Sequence, residues 1–265
     1  LVCESCEFVD SFLQFSPDIT VLLNIDDDHM DYFKTMDNLK NSFKKFVCMG
    51  TKKGVIKRTP LDAFKHTRKT GVIAISIDED DELCFVDITD GKEALLVATR
   101  DGKAICFMEE QVRPSGRTSR GVRAIKIDDN DEVIGMQVGG LYTKILTVTE
   151  TGYGRITPIL DYRLQSRGGK GLTNYHTEKY GDVAAVRTIN LDEDIIMVNA
   201  DGVIIRIAAE SVRVCARPSK GVTVMKIKEG NKVVAVVSAP HEESAEVITE
   251  VPDTSDADNA EVEES

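Results

Sequence analysis

Between residues 46 and 240 the apolar positions fall into short runs that recur at a fixed interval. One set, at 46–49, 95–99, 145–149 and 195–199, leads each time to a glycine: Gly54, Gly102, Gly152 and Gly202. A second set, at 72–75, 122–125, 172–174 and 222–225, directly follows Gly71, Gly121, Gly171 and Gly221, which lie 50 residues apart. A third occupies 83–86, 133–136, 183–186 and 233–237. The runs are rich in Val, Ile and Thr and are broken by Gly, Asp, Asn and Pro, as strands and turns are. Several short strands in each unit of about 50 residues predict propeller-like blades. A lone blade leaves both faces wet, so neighbouring blades must pack together. The expected fold is mainly β: four units, 46–93, 94–142, 143–192 and 193–240, forming a partial pinwheel.

Residues 1–45 lack the repeat. Residues 19–25 (ITVLLNI) read as a buried strand and 26–30 (DDDHM) as an acidic loop. Tyr32, Phe33, Met36, Leu39 and Phe43 have near-helical spacing, which predicts an amphipathic helix over 31–45. This small α/β pattern abuts the repeat near Phe46 with no Gly-, Ser- or Pro-rich linker. Natural domain boundaries fall in exposed linkers, so the head reads as a segment of separate origin. Residues 241–265 hold 10 acidic groups, no Lys or Arg and no periodicity, so a disordered acidic tail is expected.

Composition changes this picture little. The 265 residues are 42% hydrophobic and 29% charged, ordinary values for a folded soluble chain. No apolar run approaches the ~18 residues of a membrane span. Leu1 is not a start methionine and no secretion signal follows it, so a cytoplasmic fragment is expected. Of six cysteines, Cys48, Cys84, Cys106 and Cys215 sit in or beside strand-like runs and are expected as reduced core thiols. Cys3 and Cys6 have CxxC spacing but no second pair, and read as unrelated thiols rather than a zinc site.

Charge changes it more. The net charge of −12 is the sum of −5 over 1–50, +3 over 51–240 and −10 over 241–265. Within each unit the cations precede the closing glycine: Lys65, Arg68 and Lys69; Arg113, Arg117 and Arg120; Arg163, Arg167 and Lys170; Arg213, Arg217 and Lys220. Acids gather elsewhere, at 78–82, 128–132 and 192–194. Equivalent segments in equivalent places would put a basic rim on one side and an acidic rim on another. The densest loop is Gln165-Ser166-Arg167-Gly168-Gly169-Lys170-Gly171, whose glycines allow close backbone approach beside two cations suited to phosphate oxygens. A curved track of this kind fits a polyanion backbone, with salt-sensitive and sequence-tolerant affinity.

Several stretches resemble a known family. Lys52-Lys53-Gly54-Val55-Ile56-Lys57-Arg58-Thr59-Pro60-Leu61, Thr151-Gly152-Tyr153-Gly154-Arg155 and Tyr162 to Gly171 look like the C-terminal domain of DNA gyrase A, a six-bladed β-pinwheel. The resemblance implies wrapping of double-stranded DNA with positive handedness, in support of ATP-dependent negative supercoiling by a type II topoisomerase. It implies the rest of gyrase A, together with gyrase B, as partners, no membrane, and a bacterial nucleoid-associated location. It adds Lys57 and Arg58 to the expected DNA contacts. The family's QRRGGKG box sits in its first blade. Here the near-match carries Ser166 and falls in the third unit, so it corresponds to the box-like loop of the fifth blade. The first two blades and the tyrosine-bearing cleavage domain are absent from this pattern, so no catalysis and no cofactor are expected on this chain. The holoenzyme's ATP and Mg would act elsewhere.

Residues 1–45 resemble the central domain of bacterial UDP-N-acetylmuramate–L-alanine ligases at Glu4 to Glu7, Asp10 to Leu13 and Asn24 to Asp31. That likeness would make Glu4 and His29 magnesium ligands. The family's phosphate loop is missing, and two side chains cannot hold a nucleotide without a backbone cradle. Two other functions stand beside DNA binding: a propeller-type protein-interaction scaffold whose basic rim meets an acidic partner, and a remnant of that ATP-dependent ligase.

Overall fold

The computed structural model describes residues 45–65, 71–140 and 142–241. The strand, loop and helix expected at 1–44, and the acidic tail, lie outside these residues. So do Glu4, His29, Arg68 and Lys69.

Among the described residues, fifteen strands build four antiparallel sheets. The first contains β1 (Phe46–Thr51), β2 (Val55–Pro60), β3 (Leu83–Thr89) and β6 (Val122–Arg123) in the order β3-β1-β2-β6. The second joins β4 (Ala94–Thr99), β5 (Lys103–Met108), β7 (Val133–Gly139) and β10 (Leu172–Thr173), ordered β10-β5-β4-β7. The third joins β8 (Lys144–Thr149), β9 (Tyr153–Pro158), β11 (Val183–Ile189) and β14 (Val222–Thr223), ordered β11-β8-β9-β14. The fourth has three strands, β12 (Glu193–Asn199), β13 (Ile204–Ala208) and β15 (Val233–Pro240), in the order β13-β12-β15.

In the first three sheets the outermost strand thus comes from the following unit. β6 pairs with β2, β10 with β5 and β14 with β9. This is the main difference from the sequence expectation, which gave every unit its own complete strand in the second apolar run. Those strands are only two residues long and belong to the neighbour, while residues 72–75 form no strand at all.

The alternation of side chains explains why the apolar runs are unbroken. On β4, Leu95 and Val97 point toward the first blade, in a core with Cys48, Ile56, Phe107 and Ile125. Leu96 and Ala98 point the other way, into a core with Ile145, Tyr162, Tyr175 and Val186 of the third unit. A third core holds Leu146, Ile156, Ile195 and Met197 between blades three and four. Every core is an interface between blades, as period-two strands buried on both faces require. β3, β7, β11 and β15 line a central cavity of about 420 Å³. The donated strands therefore lie on the outer perimeter.

Cys48 and Cys106 are buried, and burial pushes both thiols up to about 11. Cys84 is exposed and Cys215 half-buried, so the expectation of core thiols holds for two of the four. All four are free.

The last strand is clasped at its end. His241 Nδ1 lies 2.7 Å from Asp194 Oδ1, Arg206 Nε donates to Asp194 Oδ2 at 2.7 Å, and Arg206 Nη2 donates to the Pro240 carbonyl at 2.7 Å. The hydrogen bond and charge of Asp194 raise the His241 pKa, and the same bond lowers that of Asp194. A raised histidine contributes stability below its unfolded pKa that is lost as pH climbs through the folded one. A lowered carboxylate contributes above its unfolded pKa and fails as pH falls through the folded one. The clasp is therefore tightest in mildly acidic to neutral solution. Amide exchange at the β12–β15 end, taken relative to the intrinsic rate at each pH, is expected to lose protection on the alkaline side of the ordinary histidine range, and His241→Ala should abolish that added dependence.

Candidate nucleic-acid interface

A 3-10 turn follows the second strand of each unit: Leu61–Phe64, Glu109–Gln111, Ile159–Asp161 and Ala209–Ser211. In the last three units a buried residue comes next, Val112, Tyr162 or Val212, and then an exposed arginine, Arg113, Arg163 or Arg213. The buried residue plugs a blade interface and aims its successor outward. Among the described residues none of these arginines has an ion-pair partner. Lys65 holds the corresponding place in the first unit, paired with Asp62 at 2.8 Å. One cation per blade thus stands at one repeated position on the outer perimeter.

The loop that follows is strapped over the preceding blade. Gln165 N–H donates to the Cys106 carbonyl at 2.8 Å, Gly168 N–H to Ala124 at 2.6 Å, and Lys126 N–H to Gly169 at 2.8 Å. At Gly171 a Cβ would come within 2.6 Å of the Ala104 carbonyl, at a φ of +72°. No side chain fits that approach. Arg167 is half-buried and donates to the carbonyls of Gln111 (2.9 Å) and Arg123 (3.0 Å). Arg217 repeats this one blade on, donating to Asp161 and Thr173, both at 3.2 Å. These two arginines are staples between blades. Lys170 remains exposed, and no partner accompanies it among the described residues.

Other expected contacts are placed less favourably. Lys57 and Arg58 require correction: both are buried, at 1% and 6% exposure. Lys57 Nζ donates to the carbonyls of Ala74 and Arg117, and burial lowers its pKa. Arg58 pairs with the fully buried Glu109 at 3.2 Å. Neither presents charge to a ligand. Arg120 pairs with Asp78 at the surface, Arg117 is half-buried, and Lys220 lies over the Tyr153 ring at 4.2 Å. Arg123 and Lys126 escaped the sequence reading. Both are exposed beside the strapped loop, and only their place after the closing glycine, rather than before it, hid them.

Of the expected acids, Asp78, Glu79, Asp80, Glu82, Asp128 and Asp129 are exposed, and Asp194 is buried. Turn residues join neighbouring units: Lys52 meets Glu132 at 3.0 Å, Arg100 meets Glu150 at 2.9 Å and Asp182 at 3.1 Å, and Lys232 meets Glu150 at 3.3 Å. This ladder engages cations near the turns and, among the described residues, leaves Arg113, Arg163 and Arg213 without an ion-pair partner.

Arg167→Ala is expected to cost about 1–2 kcal/mol, for two carbonyl hydrogen bonds lost from a partly exposed strap. It should speed amide exchange at Lys126 and Gly168 together, since those bonds hold the same loop. Exchange confined to residue 167 would contradict the staple.

A family model described as "DNA gyrase C-terminal domain, beta-propeller" matches residues 45–90, 93–138, 143–190 and 193–240. The DNA gyrase A protein of Staphylococcus epidermidis (strain ATCC 12228 / FDA PCI 1200) is 36% identical over 233 residues, covering 86% of this chain and 26% of the relative. Its counterpart in Staphylococcus aureus (strain MRSA252) is 37% identical over 236 residues, 87% of this chain and 26% of the relative. The chain thus spans about a quarter of the length of these relatives. Among solved structures, the C-terminal domain of DNA topoisomerase IV superposes with a TM-score of 0.69 at 21% identity, over 74% of this chain and 62% of that one. The DNA gyrase A C-terminal domain gives 0.64 at 24% identity, over 74% and 66%.

Proposed function

Because the chain belongs to the DNA gyrase C-terminal domain family, we propose that its blades bind duplex DNA along their outer perimeter and curve it, as a non-catalytic part of a type II topoisomerase. The observation that carries this reading is the repetition of one exposed arginine, without an ion-pair partner among the described residues, at the same place in three successive blades, with Lys170 exposed in the loop that follows the middle one. Cations set out along a convex edge meet phosphates of a backbone that follows that edge. Bending a duplex of 20–30 base pairs costs about 1–6 kcal/mol, which several simultaneous phosphate contacts offset and a single one does not. Nothing in such contacts reads base edges, so binding is sequence-tolerant. The partners of this activity are the remainder of gyrase A, with gyrase B, which supply cleavage and ATP turnover.

A mobility-shift titration across salt tests the proposal. Binding to arbitrary duplex sequences, with log affinity falling linearly against log salt, is expected. Failure to bind duplex at low salt would overturn it in favour of a scaffold for an acidic protein partner.

A further inference from the structure

Each strapping loop passes the same neighbouring positions, and the sequence fills those positions differently from blade to blade. The joints Val122–Ile56, Leu172–Ala104 and Val222–Gly154 set the correspondence. Where loop 165–171 crosses the second blade, the positions hold Lys103, Arg123, Lys126 and Lys170, all exposed. Their counterparts on the first blade are Val55, Ile73, Ser76 and Arg120, and on the third Tyr153, Thr173, His176 and Lys220. The cations of those two sets are already engaged: Arg120 by Asp78, Lys220 by the Tyr153 ring at 4.2 Å, and His176 by Glu178 at 3.1 Å. None of the four on the second blade has an ion-pair partner among the described residues. Of the three junctions, this one alone gathers Lys and Arg without partners.

The backbone holds the four as one group. Lys126 N–H donates to the Gly169 carbonyl at 2.8 Å, and Arg167 Nη1 donates to the Arg123 carbonyl at 3.0 Å. On the far side of Gly171, Leu172 pairs with Ala104 and Thr173 with Lys103. Lys170 stands in sequence between these two sets of ties. Like charges fixed close together repel one another and oppose folding. Elsewhere the chain sets acids against its surface cations, as Glu132 against Lys52 at 3.0 Å. Here it sets none among the described residues, so an anion from outside is what relieves the repulsion. A ligand with several negative charges a few Å apart relieves it most, and a nucleic-acid backbone has that spacing.

We propose that this junction is where the duplex anchors. One short stretch of phosphate backbone sits across Lys103, Arg123, Lys126 and Lys170, and the single perimeter arginines, Arg113, Arg163 and Arg213, engage afterwards as the helix curves. The inference rests on the function proposed above and adds a division of labour to it. Contacts gathered at one place require no bending, whereas arginines one blade apart reach a common helix only if it curves. Anchoring and curving therefore separate with the length of the DNA.

The test titrates the full chain across salt with duplexes of about 10 and about 40 base pairs, the shorter being about one helical turn. The first variant replaces Lys103, Arg123, Lys126 and Lys170 by alanine, the second Arg113, Arg163 and Arg213. All seven side chains are exposed, so both melting temperatures should hold. Glutamine at the same positions replaces alanine should either fall. On the short duplex the intact chain should give a salt slope of about 3–4, at about 0.9 per phosphate contact. The first variant should lose most of that slope and bind about 100-fold more weakly at low salt, while the second stays within about twofold of the intact chain. On the long duplex the second variant should lose the affinity that the intact chain gains from length. Equal losses by both variants on the short duplex, or a first variant that binds it as the intact chain does, would overturn the proposal. An intact chain that binds only the longer DNA would overturn it too, yet leave the function standing. Binding to neither duplex would remove both.

Discussion

Replacing Glu109 with alanine should destabilise the protein by about 3–5 kcal/mol, the usual cost of removing one partner from a buried ion pair. Glu109 is fully buried where the first two blades meet. Its carboxylate accepts from Arg58 Nη1 at 3.2 Å, from the Thr89 hydroxyl at 2.5 Å, and from the N–H groups of Gly91 and Glu93 at 2.8 and 2.9 Å. Alanine removes all four of these acceptor contacts and leaves the Arg58 guanidinium buried, with the carbonyls of Val112 and Gly91 and the Phe46 ring near it but no counter-charge. The stranded charge, not the lost attraction, accounts for most of the effect. Replacing Arg58 and Glu109 together by methionine should therefore cost far less than Glu109→Ala alone. Urea denaturation of both variants measures this. A loss under about 1 kcal/mol for Glu109→Ala would show the site to be hydrated rather than sealed.

Replacing Arg113, Arg163, Lys170 and Arg213 together by alanine is expected to reduce the salt slope of duplex binding by about 3–4 units, at about 0.9 per phosphate contact. Affinity near 0.1 M salt should fall by about two to three orders of magnitude. None of the four touches a protein partner among the described residues, so the melting temperature should hardly move, which separates loss of binding from loss of fold. Lys52→Ala is the matched control. It deletes an exposed cation already engaged with Glu132 and should leave the slope unchanged.

Much of this was legible from spacing alone. Within the 50-residue interval of Gly71, Gly121, Gly171 and Gly221, the last three mark points where the chain presses on the blade before it, and only glycine tolerates that contact. The donation itself was hidden. A two-residue strand such as Val122–Arg123 has no periodicity of its own, and nothing local says that its partner, β2, lies a whole unit back in the chain. Lys57 and Arg58 misled because charge suggests surface. The signal against them was partial: of their counterparts, Ile105 and Ile205 for the first and Cys106 and Ile156 for the second are apolar, while Arg155 and Arg206 carry charge. Arg167 misled differently: a guanidinium in a glycine-rich loop suggests phosphate, yet two backbone carbonyls satisfy it. In Arg113, Arg163 and Arg213 the repeat and the exposure agree.

The central claim is that cations on successive blades engage one curved duplex at once. Its most direct test is the salt slope of the intact chain on duplexes of increasing length, with donor and acceptor dyes at the two DNA ends. The slope should climb as each further blade is reached and then level off. Over the same lengths, energy transfer should exceed that of the free duplex, because the ends are drawn together. A slope fixed at its shortest-duplex value, with end-to-end transfer equal to that of free DNA, would mean that the blades bind phosphates singly and do not bend the helix.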